Sequence, residues 1–446
     1  MKKLLANQLL IFAVIMLTSG AAMGATYDHK VVCRVETEKS VLFAGPSQEV
    51  ILKVTLEAPV APSYIERPPV NLSIVLDKSG SMNGEKIRYA KAAAVEAIKR
   101  LSAADIFSLV VYDSNVRTII PAQYVRNKNR IISKIHRIQA AGSTALFGGV
   151  SQGASEIRKH IGSEYIHRII LLSDGLANVG PGSPFELGRL GAALIKENIS
   201  VTTIGVGYDY NEDLMTRLSQ KSDGNAYFVE SSWQLPEIFA AELGDVLNVV
   251  AKDVKVIISM PDDVEPISII GREGRIKENR VELSMNQLYG DQEKYALVKV
   301  RIPESRAGTV MQIAKASVHY ENPFSKKRES VYGNSIAKFS KDPILVKQST
   351  NVNVLRAYHR NLNAIEQEKA ISLSDKGKKK EAAQSLKTSA RKMKQIAKEY
   401  NDSALFNEAT DMEIQAEQIQ RQGMDKKMRK SMRTKSYQMK NQQKVK

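Results

Sequence analysis

The chain has 446 residues, enough for about three domains at roughly 150 residues each, and its 43% hydrophobic content allows an ordinary globular core. Aromatic content of 6% argues against a stacking platform for bases or sugars, and a single cysteine, Cys33, excludes an intramolecular disulfide framework. Lys and Arg total 65 against 48 Asp and Glu, a net charge of +17, whose meaning depends on where the excess sits.

Residues 1–25 read as a secretory signal. Lys2 and Lys3 form a charged start, Leu9 to Leu17 an apolar stretch, and Gly20, Ala21, Ala22, Gly24 and Ala25 a small-residue region for cleavage after Gly24 or Ala25. The apolar stretch is short for a membrane span. The expectation is an exported chain, in the periplasm or at the cell surface, with no transmembrane span once mature. Cys33 follows Val32, where a lipid signal needs a small residue, so it reads as a small buried hydrophobe on a strand.

Residues 26–67 read as β-strands, most clearly at Glu49-Val50-Ile51-Leu52-Lys53-Val54-Thr55-Leu56. Pro59, Pro62, Pro68 and Pro69 then break the pattern. Residues 68–249 alternate apolar strands, such as Val70 to Leu76 and Ile166 to Leu172, with helices such as Glu85 to Leu101 and Leu146 to His160. That alternation predicts an α/β fold with a doubly wound, mostly parallel sheet covered on both faces. In 250–344 the residues Val254, Val256 and Ile258 alternate, as do Ala296, Val298, Val300 and Ile302, and predict a β-sandwich. The first β-segment is too short to fold alone. Both β-segments are therefore expected to form one sandwich into which the α/β domain is inserted.

Residues 345–422 turn helical, with apolar positions at Leu355, Tyr358, Leu362 and Ile365, then from Leu386 to Tyr400 and from Leu405 to Ile419, with breaks at Gly377 and Asn401. Residues 423–446 form a basic tail with nine basic residues against one acid, about half of the net charge. It reads as a solvated tail, or as a contact for an anionic envelope surface. Export leaves it no nucleic acid to bind.

The chemistry concentrates in Asp77-Lys78-Ser79-Gly80-Ser81-Met82, which follows the apolar strand Val70 to Leu76. Residues two apart in an extended loop project to one side, so Asp77, Ser79 and Ser81 converge. They do so beyond the carboxyl end of a parallel strand, where open α/β sheets bind ligands. Asp174, in Leu-Leu-Ser-Asp-Gly, ends a second strand, and Thr144, in Gly-Ser-Thr-Ala, precedes a helix. Carboxylates and hydroxyls are hard oxygen ligands suited to Mg²⁺, Mn²⁺ or Ca²⁺ rather than Zn²⁺. Asp113 and Asn115 read mainly as turn residues beside this site, Asn178 as a residue after the Asp174 loop that could shape the rim, and Trp233 as packing a helix start.

Asp-x-Ser-Gly-Ser-Met, Gly-Ser-Thr and Leu-Ser-Asp-Gly, in this order, resemble the von Willebrand factor type A (VWA) domain, over about residues 70–248. The wider layout, with Pro69-Val70-Asn71-Leu72 and Thr203-Ile204-Gly205-Val206-Gly207, is similar to exported bacterial VWA proteins. It also resembles calcium-activated chloride-channel-like and inter-α-trypsin-inhibitor heavy-chain-like proteins. The resemblance implies a metal-ion-dependent adhesion site. In it Ser79, Ser81 and Thr144 serve as direct or water-linked ligands, Asp77 and Asp174 as acidic ligands often bound through water, and a partner's Asp or Glu fills one open position. It implies a metal-dependent, non-enzymatic binding protein of the cell envelope, with Mg²⁺ the first expectation. Two alternatives stand beside it: a scaffold whose helical region holds the partner while the metal is structural, and a metal-dependent hydrolase, for which no paired nucleophile and base are visible.

Overall fold

The computed structural model describes residues 30–63 and 65–443; the signal expected at 1–25 lies outside them. Three strands come first: β1 (Val32–Thr37), β2 (Val41–Phe43) and β3 (Gln48–Glu57). An α/β unit follows with β4 (Val70–Asp77), α1 (Glu85–Arg100), β5 (Ile106–Tyr112), β6 (Val116–Tyr124), α2 (Lys128–His136) and α3 (Leu146–Arg158). It continues with β7 (Ile166–Ser173), α4 (Pro184–Leu194), β8 (Ile199–Val206), α5 (Glu212–Ser222), β9 (Ala226–Val229) and α6 (Leu235–Val246). Seven strands return: β10 (Val249–Ser259), β11 (Glu265–Ile270), β12 (Arg275–Lys277), β13 (Arg280–Tyr289), β14 (Glu293–Ile302), β15 (Val310–Asn322) and β16 (Lys327–Ser340). The helices α7 (Pro343–Gln348), α8 (Val352–Asp375), α9 (Lys379–Glu399), α10 (Ser403–Gln422) and α11 (Lys426–Asn441) complete the described chain.

The central sheet has the order β6-β5-β4-β7-β8-β9. Its pairs are parallel except β5 with β6, which are antiparallel. The antiparallel edge was not foreseen: Val116–Tyr124 alternates only weakly and its side chains are mostly half-exposed. The inner strands β4, β5, β7 and β8 are buried along their whole length, as strands covered on both faces must be. The helices α1, α2 and α6 share one core with the sheet, and α3, α4 and α5 share the other. Gly153 on α3 permits close approach, since a Cβ there would stand 2.5 Å from Val75.

The β-segments before and after this unit build one sandwich. β3 lies between β1 and β14 in antiparallel register, with Val54 opposite Val35 and Ala296. The second sheet runs β12-β13-β10-β15-β16-β2, and a single apolar core draws on both segments. Cys33 is buried there, and burial pushes its thiol up to about 11, which leaves it a poor nucleophile. Trp233 does not pack: it is 60% exposed on a short turn ahead of α6.

Arg168 on β7 joins the two units. It is fully buried, donates to Gln287 (2.6 Å) and Tyr289 (2.7 Å) of β13 and to Thr202 (3.2 Å), and stands 3.6 Å from Glu242. Removing one member of a buried charged network strands the others and costs about 3–5 kcal/mol. Arg168→Ala is expected to lower stability by that order in denaturant unfolding, and to uncouple the sandwich from the central sheet.

The described part of the basic segment, 423–443, is not a free tail. Through Asn441 it forms α11, which returns to pack on α5, β9 and α8 and buries Met428, Lys430, Met432 and Tyr437. Apolar residues at Met428, Met432 and Tyr437 give the helix a buried stripe that its charge obscures in the sequence. No helix among the described residues is long and apolar enough to cross a membrane.

Candidate metal-binding site

The α/β unit starts on β4, crosses to β5 and β6 on one side, and then to β7, β8 and β9 on the other. The strand order therefore reverses between β4 and β7, and a crevice opens beyond their carboxyl ends. Asp77 ends β4, and Asp174 follows β7 directly.

The structure brings the five sequence-predicted residues together. Asp77 is fully buried; its Oδ1 accepts from the Ser79 N–H (2.8 Å) and its Oδ2 from the Ser173 hydroxyl (2.7 Å). The Ser81 hydroxyl donates to Asp174 Oδ1 (2.7 Å) and lies 3.1 Å from the Ser79 hydroxyl. A Cβ at Gly175 would stand 3.1 Å from Thr144 Oγ1 and 3.7 Å from Ser81 Oγ, so these hydroxyls flank the same glycine. Three loop contacts hold the arrangement: Gly80 N–H to the Gly142 carbonyl (2.9 Å), Ala141 N–H to the Lys78 carbonyl (2.7 Å) and Thr144 N–H to Asn178 Oδ1 (2.8 Å). Met82 is fully buried under the loop.

Neighbouring residues have defined roles. Asn178 supports the Thr144 backbone. Asp113 both makes a turn with Asn115 and pairs with Lys78, which fixes the first loop. Ser173 and Lys86 were not legible as site residues. Ser173 precedes the acid and reaches across to Asp77; Lys86, on the first turn of α1, pairs with Asp174 Oδ2. Burial raises the pKa of Asp77, outweighing its hydrogen bonds from Ser173 and Ser79, and the negative charge of Asp174 adds to the rise.

Two buried carboxylates and three hydroxyls make an oxygen-only donor set that fits a hard divalent cation. Lys86 already supplies one positive charge to it. Unit charges about 5 Å apart at an effective dielectric near 20 interact by roughly 3 kcal/mol. Lys86 is 32% exposed, and solvent reduces this to about 1 kcal/mol. Lys86→Met is therefore expected to tighten Mg²⁺ binding about fivefold in a calorimetric titration.

The crevice opens into a cleft of about 670 Å³. Ser79, Ser81, Thr144 and Asp174 form its floor, Tyr208 to Asp213 one wall, and Lys426, Arg429 and Lys430 of α11 another. Among the described residues no histidine or cysteine lines it.

The fold has relatives among known proteins. Residues 71–241 match the family model of the von Willebrand factor type A domain. The chain is 26% identical over 295 residues to an uncharacterized protein of Synechocystis sp., covering 63% of this chain and 68% of that one. It is 25% identical over 249 residues to inter-alpha-trypsin inhibitor heavy chain H4 of Bos taurus, covering 52% of this chain and 27% of the relative. A solved von Willebrand factor type A structure from Catenulispora acidiphila superposes with a TM-score of 0.69 at 17% identity, covering 88% of this chain and 91% of that one. At that identity the likeness concerns the fold, and it extends beyond the matched domain to most of the chain.

Proposed function

Because the chain carries a von Willebrand factor type A domain at residues 71–241, we propose that it is a metal-dependent protein-binding component of the cell envelope. Asp77, Ser79, Ser81, Thr144 and Asp174 would hold a divalent cation, Mg²⁺ first and Mn²⁺ or Ca²⁺ next. When bound, the cation supplies the positive charge that a carboxylate of a partner protein meets. The observation that carries this reading is the meeting of the Asp174 carboxylate and three hydroxyls from separate loops at the floor of an open cleft, with the buried Asp77 carboxylate tied to the Ser79 N–H of the same loop.

This chain's residues do three things in the reading. Asp77 and Asp174 bring negative charge to the floor, while Ser173 and the Ser79 N–H fix the Asp77 carboxylate. Ser79, Ser81 and Thr144 contribute neutral oxygens, so that positive charge remains for an incoming Asp or Glu. The cleft above these residues has a volume of about 670 Å³, in which a partner's side chain would approach them. Binding rather than catalysis is supported by the lining, which offers no histidine or cysteine to pair with a serine. Action outside the cytoplasm rests on the signal pattern of residues 1–25.

Capture from an envelope extract tests the reading, with wild type compared with and without chelator. Partner proteins retained in Mg²⁺ and released by chelator are expected. Retention that ignores chelator would sink the metal-dependent mechanism and favour a partner held by the helical region, which capture by a chain lacking residues 345–446 would then examine.

A further inference from the structure

The cations that crowd the end of the sequence are engaged in the fold: Lys426, Lys427, Arg429, Lys430 and Arg433 of α11 each pair with an acid. Cations without an acidic partner stand together elsewhere, on the outer face of the sheet β12-β13-β10-β15-β16-β2. The other sheet of the sandwich has its outer face covered, with Ile51 and Leu297 packed against Val354 and Ala357 of α8. On this sheet the side chains that point away from the core reach solvent. Burial alternates along β15 and β16, and Lys315, Tyr332, Asn334, Ile336 and Lys338 are exposed between core residues.

Strand register sets these side chains in rows. Lys277 of β12 lies opposite Arg280 of β13, Arg280 opposite Ser259 of β10, Ser259 opposite Lys315 of β15, and Lys315 opposite Asn334 of β16. At about 4.8 Å between strands this row is about 19 Å long. Lys338 stands farther along β16, opposite Val310. Among the described residues no acid pairs with Lys277, Arg280, Lys315 or Lys338. The nearby acids have other cations: Glu282 lies opposite Arg275, Glu321 pairs with Lys252, and Asp253 pairs with Lys255 and Arg328. Like charges directly opposite one another destabilise an antiparallel pair, so Lys277 against Arg280 is a cost that an external anion relieves. The row ends on β16 among exposed apolar side chains. Tyr332 (71% exposed) and Ile336 (53%) flank Asn334, Val310 (60%) lies opposite Lys338, and Phe43 (46%) follows on β2.

We propose that this sheet face docks on an anionic phospholipid bilayer, with Lys277, Arg280, Lys315 and Lys338 meeting headgroup phosphates and Tyr332, Ile336, Val310 and Phe43 entering the interface. Cations spread along a row match a plane of repeated anions, whereas a single small ligand needs groups that converge. Basic residues near an anionic leaflet each add attraction, and apolar side chains buried at the headgroup boundary add the rest. Tyrosine suits that boundary, because its ring is apolar and its hydroxyl stays wet. A soluble acidic polymer would meet the cations but leave the apolar side chains in water. The face shares no residue with the metal-site cleft.

The test sediments the chain from Thr26, which lacks the apolar stretch Leu9 to Leu17, with vesicles of phosphatidylcholine alone or mixed with phosphatidylglycerol, in chelator throughout. Saturable association with the mixed vesicles is expected, about tenfold or more weaker on phosphatidylcholine alone, and weakened by added salt. Lys315→Glu with Lys338→Glu should weaken it about tenfold or more, and Tyr332→Ser with Ile336→Ser about fivefold or more. All four positions are exposed, so both double variants should melt as wild type does. Lys380→Glu with Lys392→Glu makes the same charge change at exposed positions of α9 and should leave association unaltered. The proposal is overturned if mixed vesicles bind no better than phosphatidylcholine, or if the α9 variant loses as much as the sheet variant. It is also overturned if the Tyr332 and Ile336 changes leave association intact, or if the chain forms a dimer that Ile336→Ser dissolves, which would assign the face to a second copy. Metal-dependent partner capture is untouched by any of these results.

Discussion

Asp77→Asn is expected to abolish both the stabilisation of the protein by Mg²⁺ and metal-dependent partner capture, while the free protein stays folded. A cation that binds only the folded state adds about 2.7 kcal/mol at about one hundred times its dissociation constant. That raises the melting temperature by several degrees for a domain of this size, and scanning calorimetry with and without chelator reads the difference. Asparagine is the right substitution because Asp77 is not a surface-loop residue. It is fully buried, and the Ser79 N–H and the Ser173 hydroxyl both donate to it. Alanine would leave those donors unpaired at a cost of about 1–3 kcal/mol, confounding a fold defect with a metal defect. Asparagine keeps the shape and an acceptor for Ser79, and the Ser173 hydroxyl can rotate to accept from its amide. It also removes one of two neighbouring buried negative charges, so the metal-free variant should melt no lower than metal-free wild type. Thr144→Ala should weaken the Mg²⁺ response less, because it removes a neutral ligand. An Asp77→Asn protein that still captures partners under chelator control as wild type does would sink the proposed site.

Lys430→Ala is expected to destabilise the chain by about 1–3 kcal/mol, because it removes one of the two cations on the buried Glu212 and leaves the Tyr210 carbonyl without its donor. Lys430 is 4% exposed; its ammonium donates to the Tyr210 carbonyl (2.6 Å) and pairs with Glu212, itself 5% exposed. Arg429 binds Glu212, Asp213 and Asp375, and Arg433 binds Asp213. These contacts clamp α11 onto the start of α5, whose residues wall the metal-site cleft. Lys430→Met combined with Glu212→Leu should recover much of the loss, since an apolar pair of similar volume replaces a buried ion pair at little cost. Equal losses in the single and double variants, measured by denaturant unfolding, would show that the pair itself is not what holds the helix. The same clamp is acid-sensitive. Burial acts to raise the pKa of Asp213, but Arg433 and Arg429 together outweigh it and hold the carboxyl below its ordinary value. A group with a depressed folded pKa stabilises fully above its unfolded value, near 3.9 for aspartate, and the stabilisation is lost as pH falls through the folded value. Amide protection of Met428 to Tyr437 should therefore decline below about pH 4, ahead of the central strands.

Local pattern reached a long way here because it coincided with burial. Apolar runs such as Ile169–Leu172 at a strand's end mark central strands of a covered sheet, and residues two apart after Asp77 share a side. The five candidate oxygen ligands could be picked out for the same reason: each sits where a strand ends or a helix begins. A β-segment too short to fold alone implied a partner segment, and β3 found it between β1 and β14. Three matters waited for the tertiary structure. The segment read as a basic tail is a docked helix, because its charges are matched by acids distant in sequence, Asp209, Glu212, Asp213 and Glu230. Composition records the charge of a residue and not what stands opposite it. The depth of Asp77, and the ammonium of Lys86 on Asp174, depend on how α1 and β7 pack beside β4. Gln367 and Gln415 on α8 and α10 are ordinary polar residues by sequence, and that each keeps a buried side-chain oxygen without a donor is decided only in the folded chain, because hydrogen-bond satisfaction is a property of the assembled interior rather than of any one segment.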